Sequence, residues 1–205
     1  MADIKTDTPG SHFEKRNRKF GKLVIISGPS GVGKTTLYRS VLKRFSDMLY
    51  SVSYTTRTPR DGEKDGVDYH FISKDEFKEK IEKGKWAEWA KVHDHYYGTS
   101  AEFLYKGLAS GQDILLDIDV QGTIQILNQF PDSITIFIMP PSMDILRNRL
   151  ESRGSDSKAV IGKRLLNADK EVEKKDIYRH VVVNDQLSAA MDELISIIEN
   201  ERLAK

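Results

Sequence analysis

The chain is 205 residues long, 39% hydrophobic and 31% charged, with 32 Lys and Arg against 31 Asp and Glu. That length suits one domain, or one domain with small insertions, and the charge balance offers no basic excess for nucleic acid or an anionic membrane. The chain has no cysteine, which excludes disulfides, thiolate zinc sites and thiol catalysis. No apolar run approaches the ~18 residues of a membrane span, and the start has no apolar core of the secretory type, so the cytoplasm is the expected compartment.

Residues 1–20 are polar, with Pro9-Gly10-Ser11 and then the basic run Lys15-Arg16-Asn17-Arg18-Lys19. They can bury no face and read as a flexible arm. The apolar, β-branched run Leu23-Val24-Ile25-Ile26 follows, as expected of a buried parallel strand. Next comes Gly28-Pro29-Ser30-Gly31-Val32-Gly33-Lys34-Thr35, a match without mismatch to the phosphate-binding pattern G-x-x-x-x-G-K-[ST]. Leu37, Val41 and Leu42 then recur at helical spacing. The order strand, glycine loop, helix is the one in which backbone N–H groups and a helix dipole converge on an anion. Within it Lys34 is placed to reach the outer phosphates of a nucleotide, and the Thr35 hydroxyl to ligate Mg²⁺.

A short strand is expected at 51–54, then a polar loop from Thr55 to Glu63 containing Pro59 and Gly62. Further strands are expected at 69–72, 86–92 and 96–98, with a helix opened by the capping box Ser73-Lys74-Asp75-Glu76. Short strands without a long helix suggest a small mixed insert between Ser53 and about Thr99. From Ser100 the pattern alternates. Helices are expected at 100–109, 120–129, 142–152 and 157–174, and over a final stretch marked by Met191, Leu194, Ile195 and Ile198. Strands are expected at 113–117, 134–138 and 181–183. Alternation of this kind means a parallel sheet covered by helices on both faces, an α/β fold.

Candidate chemistry gathers in three places outside the glycine loop. Arg57 and Arg60, three apart in a Pro-containing loop, can grip one phosphate with forked hydrogen bonds, with Tyr69 and Tyr97 as added donors; a solvated arginine pair and two core tyrosines is the competing reading. Asp117 and Asp119 close an apolar strand, where open parallel sheets gather their ligands. Asp117 would then sit near a Mg²⁺ held by Thr35, directly or through water, while Asp119 is equally suited to capping the next helix. Arg147, Arg149, Arg153 and Arg164 flank the break at Gly154, which suits either a closing lid or a charged solvated face.

Taken in order along the chain, these segments resemble the guanylate kinase family from about residue 21 to the end. The resemblance rests on the glycine loop with Thr36, on Ser51 to Arg60 with Gly62-Glu63, and on Gly66-Val67-Asp68-Tyr69-His70-Phe71. It continues through Trp86-Ala87-Glu88-Trp89-Ala90, Tyr96-Tyr97-Gly98-Thr99-Ser100, Leu116 to Gly122, Pro140-Pro141-Ser142 and Val183-Asn184-Asp185. It implies a P-loop NTPase three-layer α/β/α fold with a small mixed α+β GMP-binding insert and a helical lid. The core would be 21–50, 100–141 and 177–205, the GMP-binding region 53–99 and the lid 142–176. It implies transfer of the γ-phosphoryl of ATP to GMP, with dGMP as a further acceptor, Mg²⁺ as cofactor, and a role in purine nucleotide metabolism. By that likeness Gly28, Pro29, Ser30, Gly31, Val32, Gly33, Lys34, Thr35, Thr36 and Asn184 hold ATP. Arg57, Arg60, Tyr69 and Tyr97 hold the GMP phosphate, and Ser53, Glu88, Thr99 and Asp119 face the guanine. Lys34, Arg57 and the lid arginines Arg149, Arg153 and Arg164 serve catalysis.

The chemistry fits those roles. Guanine presents two donors, N1–H and its exocyclic amine, on the edge where adenine lacks both, and a carboxylate such as Glu88 accepts both, while the Thr99 hydroxyl can donate to O6. Thr99 has a second expected role, as N-cap of the helix that follows, with Glu102 completing a capping box. ATP and GMP are the partners expected; monomer and homodimer are both left open. A rival within the same likeness is a catalytically dead, peptide-binding scaffold module, which intact Lys34 and Thr35 oppose.

Overall fold

In the computed structural model the described residues are 20–92, 94–152, 154 and 157–204; the basic run at 15–19 and Arg153 lie outside them. In chain order the elements are β1 (Leu23–Ser27), α1 (Lys34–Arg44), β2 (Leu49–Tyr50), β3 (Tyr54–Thr55), β4 (His70–Phe71), α2 (Lys74–Glu82), β5 (Trp86–Val92) and β6 (His95–Ser100). Then come α3 (Ala101–Ala109), β7 (Ile114–Asp117), α4 (Val120–Gln129), β8 (Ile134–Met139), α5 (Met143–Glu151), α6 (Lys158–Val172), β9 (His180–Val183) and α7 (Leu187–Leu203).

Five strands form one sheet in the order β2-β7-β1-β8-β9, every pairing parallel. The period-2 alternation of β1 sorts its residues between the two faces. Val24 and Ile26 join Leu37 and Val41 of α1, Leu146 and Leu150 of α5, Ile161 and Leu165 of α6, and Leu194 and Ile198 of α7. Leu23 and Ile25 join Leu104 and Leu108 of α3 and Ile126 of α4 on the other face. The result is a three-layer α/β/α stack, in which each fully buried Leu or Ile contributes about 1.5–3 kcal/mol of transfer free energy. Among the described residues no helix is long and apolar enough to cross a membrane.

A second, mixed sheet has the order β4-β3-β6-β5, parallel between β3 and β4 and antiparallel elsewhere. The single strand expected at 51–54 divides here. Leu49–Tyr50 pairs with β7 on the edge of the large sheet, and Tyr54–Thr55 opens the small one. One ladder cannot serve two sheets, so 51–53 form the crossover; Ser51 N still donates to Leu115 O and His70 N to Ser53 O. The strand expected at 69–72 is likewise only His70–Phe71. The Ser73 cap is present, its hydroxyl accepting from Glu76 N at 3.1 Å at the start of α2.

The large sheet has its topological switch at β1, between β7 and β8. Crevices at the carboxyl ends of strands on either side of such a point are where open α/β sheets take ligands. The glycine loop leaves β1 there, and Asp117 at the end of β7 is paired with Ile26.

Candidate active site

The loop between β1 and α1 is shaped by backbone that only glycine holds easily. Gly28 has φ 140, and a Cβ there would stand 2.3 Å from Ile138 O; Gly33, at φ 101, is the left-handed N-cap of α1 and abuts the Asn184 amide nitrogen. Val32 is buried, and its carbonyl accepts from Asn184 Nδ2 at 2.8 Å and from Arg149 Nη1 at 3.4 Å. Arg149 also donates through Nη2 to Asn184 O at 2.9 Å. The loop is thus clamped from behind by α5 and the residue following β9. Lys34 folds back to donate to Gly28 O at 2.7 Å, with Asp117 Oδ1 4.0 Å from its ammonium. Burial pushes the Asp117 carboxyl above its ordinary value, against the pull of Lys34.

Across the cavity the 57–63 loop is organised by a carboxylate. Glu63 Oε1 accepts from Arg57 Nη2 at 2.8 Å, and Glu63 Oε2 from Arg60 N at 2.8 Å. Arg57 Nη1 is taken by Thr58 O at 2.8 Å, and the guanidinium lies 5.4 Å from the centroid of the Tyr69 ring. The Arg57 hydrogen bond holds the Glu63 carboxyl below the usual range. Tyr69 meets Tyr97 edge to face at 6.0 Å, and burial pushes its phenol up to about 12, which keeps it a hydrogen-bond donor at neutral pH.

Glu88, in the middle of β5, is 5% exposed. Its Oε1 accepts from the Thr99 hydroxyl at 2.6 Å, and its other oxygen lies against Gly122 in the first turn of α4. Burial pushes it up to about 7; the Thr99 bond opposes that and Asp119 adds to it. Asp119 caps α4, its Oδ1 accepting from Gly122 N at 2.8 Å, and also borders the cavity. Thr99 is not a cap. Ser100 takes that position and accepts from Phe103 N, because the strand continues one residue past Thr99. Thr99 is fully buried, with its hydroxyl committed to Glu88.

These groups enclose one cavity of about 300 Å³. Gly28, Ser30 and Lys34 border it on the β1 side; Ser53, Arg57, Arg60, Tyr69, Glu88 and Tyr97 on the small-sheet side; and Asp117, Asp119 and Arg164 between. Pro29, Gly31, Val32, Gly33, Thr35, Thr36, Asn184, Thr99 and Arg149 do not border it. Three further residues have positions at the site to which the sequence assigned no role: Glu63, which holds Arg57; Gly122, against Glu88; and Glu171 of α6, which borders the cavity. Seven-residue spacing from Arg164 on one helix was the available sign for Glu171.

A parallel sheet with a glycine loop at its switch point, a lysine folded over that loop and an arginine loop across one cavity define a P-loop nucleotide-binding protein. Comparison with known proteins narrows this. The family model described as Guanylate kinase matches residues 20–201. Curated guanylate kinases from Caldanaerobacter subterraneus and Geobacter sulfurreducens are 45% and 48% identical, covering 90% of this chain and 90% and 91% of theirs. The crystal structure of guanylate kinase from Anaplasma phagocytophilum superposes with a TM-score of 0.75 at 30% identity, covering 92% of this chain and 89% of that one. The chain belongs to the guanylate kinase family.

Proposed function

We infer that this chain transfers the γ-phosphoryl group of ATP to GMP, giving ADP and GDP. The observation that carries the reading is a single cavity with the glycine loop and Lys34 at one side, Arg57 and Arg60 at the other, and the buried Glu88 carboxylate beyond them. Such a cavity suits two polyanions brought together and one purine read by its donors.

The nucleophile is an oxygen of the acceptor's own phosphate, so no side chain need attack or remove a proton. The protein's task is alignment and neutralisation of charge. In this reading the loop amides and Lys34 hold the donor phosphates. Lys34 exchanges its bond to Gly28 O for them, and the Arg149–Asn184 clamp keeps the loop in shape. Arg57, Arg60, Tyr69 and Tyr97 take the acceptor phosphate. Glu63 holds the Arg57 fork in place while leaving its remaining N–H groups for phosphate oxygens. Arg164 adds positive charge from α6. Glu88 and Asp119 accept from the guanine, and a site built on such pairing rejects a base lacking those donors by a factor of order 10⁴. Segment 53–99 acts as the acceptor-binding region and 142–176 as the lid.

Thr35 and Asp117 offer hard oxygen donors in small number, which is the chemistry Mg²⁺ accepts when it keeps its waters and shares substrate phosphates. When bound there, Mg²⁺ would neutralise charge on the donor phosphates.

The test is transfer of label from ATP labelled in the γ-phosphate, with magnesium, to GMP, AMP and dGMP. Labelled GDP, with little transfer to AMP and with loss of most turnover in Lys34→Ala, is expected. Absence of labelled GDP, or equal use of AMP, overturns the assignment.

A further inference from the structure

The strand that carries Glu88 is irregular at the residue before it. Trp86 is paired with Ser100 and Glu88 with Thr99, so two steps along β5 are matched by one along β6, and Ala87 is the extra residue of a β-bulge. A bulge breaks the alternation of side chains. Trp86 and Trp89, three residues apart, therefore share a face. Trp86 stacks on Phe77 with ring centroids 4.4 Å apart, Phe77 stacks on Tyr96 at 5.2 Å, and Trp89 meets Tyr96 at 5.9 Å. Ala87 joins the core with Leu104 and Leu116, while Glu88 and Ala90 border the cavity. In a regular strand Glu88 would share the face of Trp86. The bulge is what turns it to the cavity.

β5 is the last strand of the small sheet, so the outer backbone groups of the bulge have no neighbouring strand. Two glutamines of α4 take the place of that neighbour. Gln125 Oε1 accepts from Trp89 N at 3.2 Å, and Gln125 Nε2 donates to Trp89 O at 2.9 Å. Gln129 Nε2 donates to Ala87 O at 2.6 Å. The spacings match, since four residues advance a helix by about 6 Å and two residues advance a strand by about 6.6 Å. The two residues held flank Glu88. The same helix sets Gly122 against the Glu88 carboxylate and is capped by Asp119.

We propose that Gln125 and Gln129 are positioning residues for recognition of the base. They fix the bulge to α4, so that the Glu88 and Asp119 carboxylates keep one spacing toward the guanine donors. Neither glutamine borders the cavity, so both act through the strand. The proposal rests on the reading of the cavity as a GMP site.

The experiment measures kcat/KM for GMP and for IMP, whose base lacks the exocyclic amine, in the full chain and in Gln125→Met, Gln129→Met and the double variant. KM for ATP, thermal melting and hydrogen exchange at the Trp89 amide are recorded for each. Methionine keeps an unbranched side chain of similar length and removes its hydrogen bonds. The unsubstituted chain should prefer GMP by at least about tenfold, the size of one hydrogen bond to a charged group. The double variant should lose most of that preference through a higher KM for GMP, with kcat and KM for ATP nearly unchanged. Each single variant should fall between, and the Trp89 amide should exchange faster in Gln125→Met than in Gln129→Met. A double variant that keeps the ratio of GMP to IMP use overturns the proposal, even if KM for ATP and GMP rise together, because the glutamines would then only stabilise the fold. If the double variant does not fold, the single variants decide by the same ratio. An unsubstituted chain that does not use GMP, or uses IMP equally, would instead overturn the reading of the cavity.

Discussion

Gly122→Ala should leave a folded protein that has lost its acceptor. Gly122 is in the first turn of α4, and a Cβ built there stands 2.5 Å from Glu88 Oε2 and 3.0 Å from its Cδ. Real contacts do not fall below 3.0 Å, so the carboxylate must retreat by at least half an ångström. The atom in the way is the end of a side chain rather than backbone, which keeps the folding cost small, and alanine in a helix recovers up to about 1 kcal/mol over glycine. The functional cost is another matter. The displaced carboxylate can no longer hold both its 2.6 Å bond from Thr99 and its line to a bound base. Each hydrogen bond to a charged group is worth about 1.5–3 kcal/mol, so weakening one or two predicts a fall in kcat/KM for GMP of about 10- to 10⁴-fold. The assay is coupled ADP release against GMP concentration, with ATP affinity measured by calorimetry and melting followed in parallel. Melting within a few degrees, unchanged ATP affinity and a large rise in KM for GMP are expected. A folded Gly122→Ala protein with near-normal KM for GMP would refute the assignment of Glu88 to the base.

Arg57→Ala should cripple GMP use while ATP binding stays nearly intact; equal loss of both would place Arg57 outside the acceptor site. Glu63→Gln removes the charge that anchors Arg57 while leaving one acceptor oxygen, so KM for GMP should rise about tenfold with a smaller change in kcat. An unchanged KM would mean that the Arg57 fork needs no such support. Burial lifts Glu88 from 4.5 to about 7, so between those values the folded protein holds a proton that the unfolded chain has released. Stability from this group is therefore full below about pH 4.5 and is lost as pH rises through 7, by up to about 3 kcal/mol. Urea midpoints at pH 5 and pH 8 should fall less in Glu88→Gln than in the unsubstituted chain; an equal fall would contradict the buried carboxylate.

The large sheet was legible in the sequence because its strands are continuous apolar runs between strongly periodic helices, as with Leu23 to Ile26 and 134–138. The glycine loop was legible because its pattern states a backbone requirement directly. Two-residue strands were not: β2 and β3 have no period of their own, and their pairing is set by which sheet the chain has reached. Arg149 illustrates a second limit. Its charge was plain from the sequence, but its direction, onto Val32 O and Asn184 O rather than into the cavity, is fixed by helix packing that no local pattern records. Thr99 was the expected cap of α3, and one residue of strand register gave that place to Ser100. Glu63 stood in a motif read from the sequence without an assigned partner, and the spacing of Glu171 from Arg164 gives a shared helix face but not what that face meets.

The claim on which everything turns is that donor and acceptor phosphates share one cavity, held from opposite sides. It is tested most directly with a dinucleotide whose adenosine and guanosine are joined through their 5′ positions by five phosphates, titrated into the unsubstituted chain, Lys34→Ala and Arg57→Ala. One molecule per chain should bind, in competition with both ATP and GMP, and each substitution should weaken it at least tenfold. Competition with ATP alone, or affinity indifferent to Arg57→Ala, would contradict the shared cavity.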